Sequence, residues 1–69
     1  MNVYVFKTSI HPEQVRLVNS ILRSIIPECI WCYDLEDCDR ILRIESPKNI
    51  VKSVCFHLEI EGFYCKELE

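Results

Sequence analysis

A chain of 69 residues, 49% hydrophobic and 28% charged, holds one small domain and is too apolar to stay disordered. No apolar run approaches the ~20 residues of a membrane-spanning helix, and the opening MNVYVFKTSIH lacks a signal-peptide layout, so a cytoplasmic chain without a membrane partner is expected. Eight Lys and Arg against eleven Asp and Glu, a net charge of −3, argue against a nucleic-acid backbone as partner.

Asn2 to Lys7 (NVYVFK) is rich in β-branched and aromatic residues and predicts a strand. Pro12 suits the first position of a helix, where its missing N–H costs nothing. From there Val15, Val18, Ile21, Leu22, Ile25 and Ile26 repeat at helical period, with Arg16, Asn19, Ser20, Arg23 and Ser24 opposite them. Pro27 ends this helix. Ile30 to Glu36 (IWCYDLE) alternates Trp31, Tyr33 and Leu35 against Ile30, Cys32 and Asp34, as a strand with one buried face does. After a polar turn, Arg40 to Glu45 (RILRIE) reads as its hairpin partner, with Leu42 and Ile44 pointing inward. Ser46-Pro47 looks like a helix start. Ile50, Val51, Val54, Cys55 and Leu58 supply the buried stripe, Gly62 the stop, and Phe63 to Leu68 a last strand. The order β-α-β-β-α-β predicts an α+β, ferredoxin-like βαββαβ sandwich: a four-stranded antiparallel sheet, order 4-1-3-2, with both helices on one face.

This arrangement resembles the heavy-metal-associated domain of copper chaperones and of the N-terminal modules of metal-pumping ATPases, over nearly the whole chain. The residues carrying the likeness are Phe6-Lys7 at the first strand end, Asp34-Leu35-Glu36, and Gly62-Phe63. In that family a Met-x-Cys-x-x-Cys loop before the first helix binds Cu(I) or a similar soft ion. Aligned without gaps from Pro27 backwards, its two cysteines fall on His11 and Gln14, and the loop here is shorter. Soft Cu(I) prefers thiolates. The resemblance therefore implies the fold without the usual metal loop, and no resident cofactor.

The chain has five cysteines, an odd count, and reduced thiols are the expectation for a cytoplasmic protein. Cys29-x-x-Cys32 has the spacing of many zinc sites. It stands at a strand start, however, where residues three apart point to opposite faces. Cys38 in the hairpin turn shares one end of the sandwich with His11, Asp37, Asp39 and Glu61, a donor set that Zn²⁺ accepts. Cys55 reads as a small core residue, and His57 as an exposed one at its helix margin. Cys65 and Cys32 lie on opposite sheet edges, too far apart for a disulfide. No catalytic pair assembles from the sequence, so no enzyme is expected.

Phe56 and Ile60, four apart, lie off the second helix's buried stripe and form a candidate contact surface. The uncovered sheet face is expected to carry Tyr4 and Phe6 if Val3 and Val5 face the helices, together with Cys32, Ile41, Arg43 and Tyr64. Aromatics on such a face stack RNA bases in domains of the same fold. The glycine-bearing ribonucleoprotein signature is missing here, and Asp34 and Glu45 share the surface. The functional expectation is a small non-catalytic binding module acting by protein contact or self-association. The alternative is an atypical zinc or copper carrier using Cys38 with His11, or Cys29 with Cys32.

Overall fold

The computed structural model describes residues 1–36 and 38–68. Its elements are β1 (Asn2–Thr8), a 3₁₀ turn (Pro12–Gln14), α1 (Val15–Ile25), β2 (Ile30–Asp34), β3 (Ile41–Ser46), α2 (Val51–Ile60) and β4 (Cys65–Leu68). The strands pair antiparallel in one sheet of order β2-β3-β1-β4, which is β4-β1-β3-β2 read from the other edge. This is the expected α+β βαββαβ sandwich, with the two central strands β3 and β1 paired over six residues.

Both helices begin later than the sequence suggests. Pro12 opens a 3₁₀ turn, in which the Gln14 side-chain oxygen accepts the His11 N–H at 2.9 Å, and regular α-helix starts only at Val15. Ser46 does not cap α2. It ends β3 fully buried, and its hydroxyl both donates to the Lys48 carbonyl at 2.7 Å and accepts the Lys48 N–H at 3.2 Å. Asn49 then takes up the Val51 N–H at 2.9 Å, so serine and asparagine divide the turn that delays the helix. The far end of α2 behaves as expected. Gly62 adopts φ +90°, its N–H meets the Glu59 carbonyl at 3.0 Å, and the Phe63 N–H meets Leu58 at 2.9 Å. That pair of bonds is a Schellman stop, for which glycine has the lowest cost.

The core lies between the helices and one sheet face. Val18, Leu22 and Ile26 from the α1 segment meet Ile50, Val54 and Leu58 from the α2 segment over Phe6, Leu42 and Ile44. Each such side chain, fully buried, contributes about 1.5–3 kcal/mol. The strand register decides which residues of β1 join them. Residues directly opposite in antiparallel strands share a face, and Leu42 and Ile44 face inward opposite Phe6 and Tyr4. Phe6 is therefore 0% exposed and Tyr4 is half-buried against the core. The condition under which the sequence would set them on the uncovered sheet face is not met: Val3, Val5 and Lys7 stand there instead, and Tyr4 and Phe6 turn inward.

Candidate functional site

The end of the sandwich that carries His11 and Cys38 is organised around Thr8 and Arg40. Thr8 is buried; its hydroxyl donates to the Arg40 carbonyl and accepts the Ile10 N–H at 3.2 Å. Arg40 holds φ 45°, the left-handed region that a non-glycine residue rarely adopts, and its guanidinium donates to the Ile10 carbonyl at 3.3 Å. A fixed cation thus sits one residue from His11. Asp39 faces the Lys7 ammonium at 3.4 Å. His11, Cys38 and Glu61 are exposed, and Asp37 lies outside the described residues. Among the described residues no three His, Cys, Asp or Glu side chains gather into a group able to hold a metal ion.

Cys29 and Cys32 are not brought together. Cys29 packs in the core cluster, whereas Cys32 is exposed on β2 opposite Arg43, on the uncovered face. A different pair is. Cys55 of α2 and Cys65 of β4 have their sulfurs 3.4 Å apart. The sequence carried a signal for this, since Cys55 borders the inward stripe and Cys65 has the inward parity of Phe63. What it lacked was the side of α2 on which β4 would lie.

Beside α1 runs an open groove of about 670 Å³, lined by Val15, Asn19, Arg23, Cys29, Trp31 and Tyr33. Asn19 is not the solvent-facing residue its helix position suggested. Its side-chain oxygen accepts the Trp31 Nε1–H at 2.9 Å and the Tyr33 hydroxyl at 2.7 Å. Burial pushes the Tyr33 phenol up to about 12, against the lowering effects of Trp31 and the Arg23 guanidinium. Trp31 and Tyr33 sit two apart on the inward face of β2, and both need a hydrogen-bond partner when covered. That need was the readable signal for Asn19.

The uncovered sheet face is ordered in rows by the pairing. Ile30, Glu45 and Val3 form one row, and Cys32, Arg43, Val5 and Leu68 the next. Val3 is 59% exposed and Ile30 66%. Arg43 and Glu45, two apart on β3, present opposite charges between these apolar side chains. A shallow depression of about 360 Å³ joins Val3, Ile30, Cys32, Arg43 and Glu45. On α2, Phe56 and Ile60 are exposed as the sequence implied. The Phe56 ring meets His57 edge-on at 5.3 Å, and His57 Nδ1 lies 2.8 Å from the Ser53 carbonyl, which leaves that residue half-covered.

No helix is long and apolar enough to cross a membrane among the described residues. No protein-family model matches this sequence, and neither curated proteins nor solved structures provide a match.

Proposed function

We propose that the chain is a small non-catalytic binding module of heavy-metal-associated type, without that family's metal loop, whose uncovered sheet face docks a second copy of itself. The observation behind this reading is the Arg43–Glu45 pair set among Val3, Val5, Ile30 and Leu68. A two-fold interface uses the same patch on both partners, so the patch must be self-complementary. Neighbouring opposite charges on β3 meet that condition: Arg43 of one copy faces Glu45 of the other, and the reverse. The flanking apolar side chains then leave water together, with the usual gain of ~25 cal/mol per Å². The whole chain carries −3, but this face sets Lys7, Arg43 and Lys66 against Asp34, Glu45 and the Asp39 carboxylate paired with Lys7, so two copies do not repel across it.

Sedimentation over a range of concentrations tests the reading. Wild-type chain is expected to shift from monomer to dimer, Arg43→Glu to remain monomeric, and the swap Arg43→Glu with Glu45→Arg to regain the dimer. A monomer at every concentration, or a dimer indifferent to both changes, overturns it.

A further inference from the structure

The sulfur pair plays no part in this docking. Cys55 is half-buried, Cys65 is 5% exposed, and the 3.4 Å between them spans from α2 to β4. We infer that Cys55 and Cys65 form a dithiol modification site, which closes to an intramolecular disulfide on meeting a small uncharged organic disulfide.

A disulfide needs sulfurs at ~2.05 Å, so they must approach by roughly 1.4 Å, within reach of small side-chain and backbone adjustments. Cys32 does not compete, since it stands on the far sheet face. Cys55, the more exposed partner, is the entry point. Its thiolate attacks one sulfur of the reagent R–S–S–R; the reagent's S–S bond breaks, and the leaving RS⁻ takes up a proton equivalent to the one Cys55 gave up. Cys65 then loses its proton and attacks Cys55 Sγ, expelling the second RS⁻, which is protonated in turn. The chain loses two electrons and two protons, and the reagent becomes two thiols.

The surroundings set the rate and the choice of oxidant. Burial is the main reason both thiols titrate above their ordinary range, and the Glu59 and Glu67 carboxylates push Cys55 further up. Little thiolate is present at neutral pH, so the pair reacts slowly. The same carboxylates disfavour an anionic oxidant such as oxidised glutathione.

The test treats reduced, folded chain with bis(2-hydroxyethyl) disulfide and follows it by mass spectrometry. Exposed Cys38, in the hairpin turn away from the docking face, gaining a hydroxyethylthio adduct shows that the reagent is active. The expected product at the pair carries no adduct and has lost two hydrogens. Cleavage after Glu59 and Glu61, which separates the two cysteines in sequence, leaves their fragments joined. Cys65→Ala is expected to halt Cys55 at the adduct, and oxidised glutathione to close the pair more slowly. Cys55 and Cys65 remaining reduced while Cys38 is fully modified overturns the inference. So does an adduct that persists on wild-type Cys55, or a link from either residue to another cysteine.

Discussion

The two edges of the sheet are fastened to the helices above them by different chemistry. At the β2 edge, one amide oxygen of Asn19 on α1 receives two donors, Trp31 Nε1–H and the Tyr33 hydroxyl. At the β4 edge, a thiol of α2 lies against a thiol of the strand. Both strands are short, five and four residues, and each has one side without a strand neighbour. Extra attachment is useful at such positions. The hydrogen-bonded edge is strong as it stands and fixed in character. The sulfur edge is weak in the reduced state and gains strength only if the pair becomes covalent.

The largest effect should come from Trp31→Ala, which removes both an indole packed against the core and one Asn19 bond. A loss of about 2–3 kcal/mol in urea denaturation is expected. Asn19→Ala strands both donors beside a groove that water can enter, and should cost about 1–2 kcal/mol. Asn19→Asp keeps the acceptor and should recover most of that. If alanine and aspartate prove equivalent there, the two bonds do not fasten this edge. Cys65→Ala at the opposite edge should cost about 1 kcal/mol, from a lost sulfur contact and a small void. A larger cost than at Asn19 would reverse the comparison.

The smallest effect concerns alkaline pH. Burial raises the Tyr33 phenol to about 12 in the folded chain from ~10 when unfolded, so the unfolded state binds fewer protons between these values. Its contribution is therefore complete below about pH 10 and falls away as pH rises through 12. The raised thiols of Cys55 and Cys65 act in the same direction. Tyr33→Phe should make the decline in stability between pH 9 and 11.5 shallower by the tyrosine share alone, read from urea midpoints. An unchanged slope would place Tyr33 in an environment wetter than its bonds suggest.

Periodicity made the architecture legible. The stripe Val15–Ile26, the alternation in IWCYDLE and RILRIE, and the Gly62 stop are local patterns, each set by which side chains avoid water and which residue tolerates a positive φ. The inward pair Leu42 and Ile44 and the off-stripe Phe56 and Ile60 were readable for the same reason. β1 was different. Val3, Val5, Tyr4 and Phe6 make both of its faces apolar, so alternation is silent about orientation. Only pairing with β3 sends Phe6 to the core and Val3 and Val5 to the surface that the proposed dimer uses. Contacts between elements far apart in the chain were equally out of reach. Asn19 meets Trp31 and Tyr33, and Cys55 meets Cys65, because of how α1 lies along β2 and α2 along β4. The sequence by itself determined the elements, their order and most of the core, because burial is encoded residue by residue. Tertiary packing decided which face β1 presents and which side chains of different elements touch, because those depend on register and on the placement of whole helices.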